Sequence, residues 1–397
     1  MSLITKNIRK VINYLPNKRL QNSFNVMDIR KCAEKRAHKM VFDYIDSGAD
    51  DEIALKWAND AYNKKSISYK VLTGVKPPID LNNSIAGINF GLPFFNCPTA
   101  GNSMFHKDGE LGVAKVANKF NTIYSISSLT TTDLDKIKSV HKGPKVFQLY
   151  VWKDRQLLKD VISLAKENDY NILALTADFT WYGNRERDKQ NGFTIPPSYS
   201  LKQIYEAIKK PAWTFDYLTN PNYTYACINN NVSATSLASF VNSQISPEFN
   251  WKDAEWLLGE WTHGPTALKG VVRPDDAEKA VNTGFDIIWV SNHGGRQLET
   301  SIAPFDALPL IKERVGNNIP IILDGGIRRG IDIIKAISLG ADAVAIGKPY
   351  LYGLAAGGEK GVEKVYELLI DEIQRGMGLM GISSIKQLKN EGYQFIN

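Results

Sequence analysis

From residue 91 onward, short apolar runs rich in β-branched residues recur along the chain, each followed by a stretch with helix-like spacing. That rhythm belongs to a parallel sheet built from βα units. The runs predict strands at 92–97, 122–126, 145–150, 172–176, 267–271, 287–290, 319–323 and 343–346. Eight such units favour a single closed (β/α)8 barrel of the TIM type over an open doubly wound sheet.

Two stretches interrupt the rhythm. The gap between the fourth and fifth strands, from about Trp181 to Thr266, exceeds what one loop and one helix need, so it holds an insertion at about 190–250. Pro196, Pro197, Pro211 and Pro221 punctuate it, and Trp213, Phe215, Tyr217, Tyr223 and Tyr225 lie within it. A lid, a contact for a partner or membrane, and a surface excursion packed on the barrel all fit that composition. Before the barrel, a segment including 33–62 reads as helical with a polar break at 43–51, and either covers the barrel's bottom or supplies a side chain to the site.

The first residues form a further unit. Ile4, Ile8, Val11, Ile12 and Leu15 fall at helical spacing with Lys6, Arg9, Lys10, Lys18 and Arg19 among them, and the first acidic residue is Asp28. Such an arm, 1–27, suits a membrane-surface helix, an organelle-targeting segment or a helix packed on its own barrel, which would occupy 28–397.

Composition narrows the classes. The net charge of +6 is modest for 397 residues, and no dense basic tract with interleaved aromatics occurs, which argues against nucleic acid and leaves anionic small molecules as ligands. Cys32, Cys97 and Cys227 are far apart and odd in number, so neither a disulfide framework nor a zinc site is expected. No apolar run is long enough to span a membrane. A cytoplasmic protein, or one peripheral to the inner face of a membrane, is the simplest expectation, with organelle targeting the alternative.

A barrel of this kind carries its chemistry where strands end, and there the polar residues gather. Ser291-Asn292-His293-Gly294-Gly295-Arg296-Gln297-Leu298 follows the sixth strand. His293 can take a proton near neutral pH, and the Arg296 fork can hold a carboxylate at two points. A lone histidine is more often structural, but the strand-end position and the arginine three residues on reverse that preference. Asp178 and Arg185 follow the fourth strand, placed to orient an imidazole and to supply a second carboxylate clamp. Leu323-Asp324-Gly325-Gly326-Ile327-Arg328-Arg329-Gly330 and Ile346-Gly347-Lys348-Pro349 end the seventh and eighth strands, where glycine loops and helix N-termini bind phosphate. Taken alone, those loops fit a sugar-phosphate enzyme equally well.

Together these motifs resemble the FMN-dependent L-2-hydroxy-acid oxidases and dehydrogenases, a family that includes glycolate oxidase, L-lactate dehydrogenase and mandelate dehydrogenase. Phe147-Gln148-Leu149-Tyr150-Val151, Leu175-Thr176-Ala177-Asp178, Trp251-Lys252-Asp253 and Leu268-Lys269-Gly270-Val271 carry the likeness further, from about Asp28 almost to the C-terminus. The resemblance implies FMN as cofactor, His293 as base with Asp178 behind it, and Arg296 and Arg185 on the substrate carboxylate. It puts Tyr44 and Tyr150 on the carboxylate and hydroxyl, and Lys269 at the flavin N1–C2=O edge. Thr99, Ala100, Ser127, Gln148 and Thr176 would surround the isoalloxazine, with Ser291 nearby. Asp324, Gly326, Arg328, Gly347 and Lys348 would hold the ribityl phosphate.

Three departures refine the expectation. Lys348 stands where arginine is common, which keeps the charge and loses the fork. Leu129 stands where glycolate-specific members tend to carry tryptophan, which implies room for lactate or a larger acid. The segment Pro211-Ala212-Trp213-Thr214-Phe215-Asp216 is more similar to the respiratory L-lactate dehydrogenases, implying a quinone or cytochrome as acceptor rather than oxygen. A homo-oligomer, such as a tetramer, is implied by the same likeness. Absence of a C-x-x-C-H motif speaks against a fused haem domain. Two competing readings are an FMN barrel of isomerase type and a flavin-binding module without catalysis.

Overall fold

The computed structural model describes residues 3–193, 200–220, 224–228 and 243–397. Pro196, Pro197, Pro221 and Tyr223 lie outside the described residues.

All eight expected strands form, with ends shifted by one or two residues. They are β3 (Phe94–Asn96), β4 (Tyr124–Ser127), β5 (Lys145–Leu149), β6 (Ile172–Thr176), β7 (Thr266–Val271), β8 (Ile287–Val290), β9 (Ile321–Asp324) and β10 (Ala343–Ile346). Each pairs in parallel with its neighbours in the order β3-β10-β9-β8-β7-β6-β5-β4. Nearly every strand residue is buried, as expected for a sheet covered by helices outside and packed side chains inside. The fold is the (β/α)8 barrel.

No backbone ladder joins β3 to β4 among the described residues; a side chain closes the ring instead. Asn96, 1% exposed, donates from Nδ2 to Ser125 O at 2.6 Å and accepts from Ser125 N at Oδ1 at 3.2 Å. Replacing Asn96 with leucine removes both bonds and strands a buried N–H and C=O, each costing about 1–3 kcal/mol. Asn96→Leu is therefore expected to lose about 2–5 kcal/mol in urea unfolding, and a variant as stable as the parent would show that β3 and β4 hold together without this bridge.

The barrel's lower mouth is sealed by a hairpin that the strand pattern did not announce. β1 (Asn83–Ile85) and β2 (Ile88–Phe90) pair antiparallel through a two-residue turn, with φ of 46° at Ala86 and 79° at Gly87. Ile85 and Phe90 belong to one buried cluster with the interior side chains Phe95, Val146, Ile172 and Trp289. Hairpin residues alternate buried and exposed over only three positions a strand, too short for a periodic signal.

The segment before the barrel folds as helices Val26–Arg36, Lys39–Asp46 and Ile53–Asp60. The expected polar break at 43–51 is corrected: Asp43 and Asp46 belong to the second helix, and the break spans only 47–52. Those carboxylates tolerate helix and burial because Arg187, Lys39 and Arg30 pair with them. The segment caps the barrel's upper, C-terminal face and reaches the site with Tyr44. Residues of the N-terminal helix, Leu3–Gln21, pack on Val26–Arg36 and on the insertion helix Pro211–Leu218.

Candidate active site

The upper ends of the strands open on a cavity of about 890 Å³, in the upper range of sites that hold a cofactor or small ligand. Register puts Lys269 of β7 beside both Thr176 of β6 and Trp289 of β8, so neighbouring strands deliver their polar ends to one level.

His293 lies on the left-handed side of backbone space, φ 57°, followed by Gly294 and Gly295 at 69° and 70°. Non-glycine residues hold such a conformation only where the surroundings enforce it, often at functional sites. Enforcement is visible: His293 N donates to Ser291 Oγ at 3.0 Å, and a Cβ on Gly295 would sit 2.6 Å from Leu55 N. Asp178 Oδ1 lies 3.1 Å from His293 Nδ1. With Nδ1 engaged as donor, Nε2 keeps its lone pair.

Both arginines reach the same cavity. Arg296 donates from Nη1 to Tyr44 O and, at 3.3 Å, to Ser47 O, with its guanidinium 4.7 Å from the centre of the Tyr44 ring. Arg185 donates to Arg296 O and Gln297 Oε1 at 3.4 Å each. Tyr44 and Tyr150 line the same wall.

Beneath them, Lys269 Nζ meets Asp324 Oδ2 at 2.9 Å and donates to Ser291 Oγ at 2.9 Å. Ser291 Oγ donates to Asp324 Oδ1 at 2.7 Å, and Trp289 Nε1 donates to Oδ2 at 2.9 Å. On the opposite side Gln148 Nε2 donates to Thr176 Oγ1 at 2.8 Å, leaving buried Oε1 without a partner among the described residues. Thr99, Ala100, Gly326, Arg328, Gly347 and Lys348 also line the cavity. Ser127, Asp178 and Ser291 stand just behind its wall; Ser127 Oγ accepts from Leu129 N at 3.2 Å.

Lys348 Nζ also meets carbonyls of the chain itself. Its ammonium donates to Ile45, Asp46 and Ser47 carbonyls at 2.9, 3.1 and 2.8 Å, closing the C-terminus of helix Lys39–Asp46. Burial first, then Arg296 and Arg328, pull its pKa well below the usual lysine range. The ammonium thus serves the helix end, while the backbone at Gly347–Lys348 starts helix Lys348–Gly357 beneath the cavity.

Protonation follows from burial and neighbours. Burial lowers the His293 pKa below the ordinary imidazole value, more than Asp178 raises it. Burial pushes Asp178 up, but His293 and Lys269 outweigh it and its pKa falls. The pair therefore rests as neutral imidazole beside carboxylate. Burial and the neighbouring Arg185 lower Arg296 to about 10, and burial raises Tyr150 to about 12. Lys269 stays firmly cationic, because Asp324 and Asp178 overcome the effect of burial.

Four aromatic residues of the wall escaped the sequence reading as site residues: Phe179, Tyr182, Phe193 and Tyr225. Tyr225 comes from the insertion, held where Ala226 N donates to Thr130 O at 2.8 Å. Loop aromatics have no spacing rule that would mark them.

Comparison with known proteins agrees with this geometry. The sequence profile of the FMN-dependent dehydrogenases matches residues 33–394. Glycolate oxidase 3 of Arabidopsis thaliana is 36% identical over 92% of this chain and 94% of its own length. L-lactate oxidase of a Nostoc species is 36% identical over 93% of this chain and 97% of its own. Among solved structures, a monotopic membrane protein, (S)-mandelate dehydrogenase, superposes with a TM-score of 0.89 at 34% identity, covering 95% of this chain and 99% of that one.

Proposed function

The chain belongs to the FMN-dependent dehydrogenase family and oxidises a 2-hydroxy acid with FMN, and from that premise we propose that its substrate is an L-2-hydroxy acid whose side chain is lactate-like or larger. The observation that carries the reading is His293, backed by Asp178 at 3.1 Å and sharing one cavity with Arg185 and Arg296. A base beside two carboxylate clamps suits a 2-hydroxy acid better than a diphosphate or a sugar phosphate.

The residues present fit FMN. Gln148 Oε1, buried and unpartnered among the described residues, suits the flavin's imide N–H. Lys269 suits the N1–C2=O edge, and the open glycine backbone at Gly326 and Gly347 with Arg328 suits the phosphate. Thr99, Ala100, Ser127 and Thr176 would flank the ring system, with Ser291 and Asp324 holding Lys269. Bound FMN supplies the two-electron redox chemistry.

The chain's own part is to bind, orient and move a proton. Arg185 and Arg296 hold the carboxylate, with Tyr44 and Tyr150 on the carboxylate and hydroxyl. His293 Nε2 takes the proton, and Asp178 stabilises the resulting imidazolium through Nδ1–H. Leu129 lines the cavity and leaves the substrate's side chain more room than an indole would.

The same proposal assigns the electrons to a quinone or cytochrome, with oxygen the alternative, and the division into an arm at 1–27 and one barrel domain at 28–397, assembled as a homo-oligomer. Peripheral membrane contact is supported by apolar side chains left in solvent on the N-terminal helix and on insertion helix Leu201–Ile208: Val11 is 75% exposed, Leu201 86% and Ile208 72%. No described helix is long and apolar enough to cross a membrane.

The test is to mix the yellow protein anaerobically with L- and D-forms of 2-hydroxy acids from glycolate through lactate to mandelate and follow flavin absorbance. One L-acid is expected to bleach it, and oxygen or a quinone then to restore the colour. Flavin that stays oxidised with every acid would overturn the substrate assignment.

A further inference from the structure

Phe179 directly follows Asp178, yet its side chain turns inward and is 6% exposed. Its ring lies 5.4 Å from the His293 imidazole with the planes 26° apart. The same ring meets Tyr150 and Tyr182 at 4.9 Å each, and the Arg185 guanidinium lies 5.8 Å from its centre. One side chain thus touches groups delivered by β5, by the loop after β6 and by the loop after β8.

The imidazole needs such a partner. A single hydrogen bond from Nδ1 to Asp178 fixes one direction but leaves the ring free to rock about that axis. A flat, apolar face stacked on the imidazole removes that freedom and covers a surface that water would otherwise reach. Asp178 is itself confined from the far side, since Gly270 approaches so closely that a Cβ there would lie 2.5 Å from Asp178 Cγ.

We propose that Phe179 is a positioning residue for proton transfer: its ring sets the plane of the His293 imidazole, shields it from water and braces Arg185 against the bound acid. The proposal rests on the reading of His293 as the base. The charged and titratable groups around the imidazole are Asp178 and Arg185 in the loop after β6, Lys269 on β7 and, across the Phe179 ring, the Tyr150 phenol beyond β5. None of these is removed by a substitution at 179, so a rise in the imidazole's titration reports water at the ring or withdrawal of the Arg185 charge, and the stacked ring prevents both.

The experiment uses FMN-loaded protein labelled with 15N-histidine. With five histidines in the chain, the His293 resonances are assigned by their loss in His293→Gln. In Phe179→Leu, FMN remains bound, and the His293 pKa rises toward about 6.5 as water reaches the ring. The acid limb of flavin reduction shifts to higher pH by the same amount. The plateau rate falls at least about tenfold, since misplacement on the order of 1 Å costs up to about a hundredfold. Phe179→Tyr, which keeps the stack, restores both. Imidazole titration and pH profile in Phe179→Leu equal to the parent's would overturn the proposal and leave the ring as packing alone; if Phe179→Leu fails to fold, Phe179→Met is read by the same two measurements. A shifted titration together with parental protein that no hydroxy acid reduces would keep the positioning role and sink the assignment of the base.

Discussion

His293→Gln is expected to slow flavin reduction by the preferred 2-hydroxy acid by about a thousandfold or more, while the purified protein stays yellow. A positioned general base contributes about 10²–10⁴ in rate, and glutamine offers no site that can take a proton at neutral pH. The cofactor should stay because His293 belongs to the upper wall, whereas Gln148, Lys269, Gly326 and Arg328 line the rest of the cavity. Stopped-flow reduction under anaerobic conditions separates this step from reoxidation. The parent's pH dependence follows from the same residue. Burial lowers the His293 pKa, so the neutral, proton-accepting form persists as pH falls below the ordinary imidazole value of about 6.5. Flavin reduction should therefore hold steady through pH 6.5 and decline only at lower pH. A glutamine variant that reduces its flavin at the parental rate would remove His293 from the chemistry and return the flavin-binding module to the front.

Much of this arrangement was legible in the chain because its signals are local. A strand covered on both faces, such as Ile287–Val290, reads as an apolar run whatever surrounds it. Strand-end loops such as 291–298 carry residue types that a packed interior seldom needs, so their position alone marks them. Other features arise only when distant segments meet. Asp43 and Asp46 looked like a helix break because their partners, Arg187 and Arg30, lie elsewhere in the chain or on another helix. Asn96 reads as one more strand residue until β4 lies beside it and no backbone ladder forms. The carbonyls of Ile45, Asp46 and Ser47 that Lys348 meets likewise belong to a segment distant in the chain. Phe179 and Tyr225 are aromatic residues in loops, and nothing in their spacing tells a packed ring from one that faces a ligand.

The substrate carboxylate provides the second large effect. Arg296 and Arg185 share a cavity closely enough that Arg185 helps lower Arg296 to about 10, so the Arg185 guanidinium raises the cost of keeping Arg296 charged. A carboxylate between them relieves that repulsion and accepts charge-assisted bonds, each worth about 1.5–3 kcal/mol. Lysine keeps the charge but loses the fork, so Arg185→Lys and Arg296→Lys should each lower kcat/KM by about 10–100-fold. The two changes should differ in kind. Arg296 also ties the Tyr44 and Ser47 carbonyls to the barrel, so its loss should lower thermal stability as well. Arg185's hydrogen bonds among the described residues are long ones, to Arg296 O and Gln297 Oε1 at 3.4 Å each, so its loss should act on KM with stability retained. Because both act on one anion, the double variant should lose less than the product of the single losses. The amide of the same hydroxy acid isolates the cause: without a carboxylate to clamp, it should be oxidised slowly by the parent and about equally slowly by Arg185→Lys. Were the amide to lose as much as the acid does, Arg185 would be acting on the architecture of the site rather than on the substrate's charge.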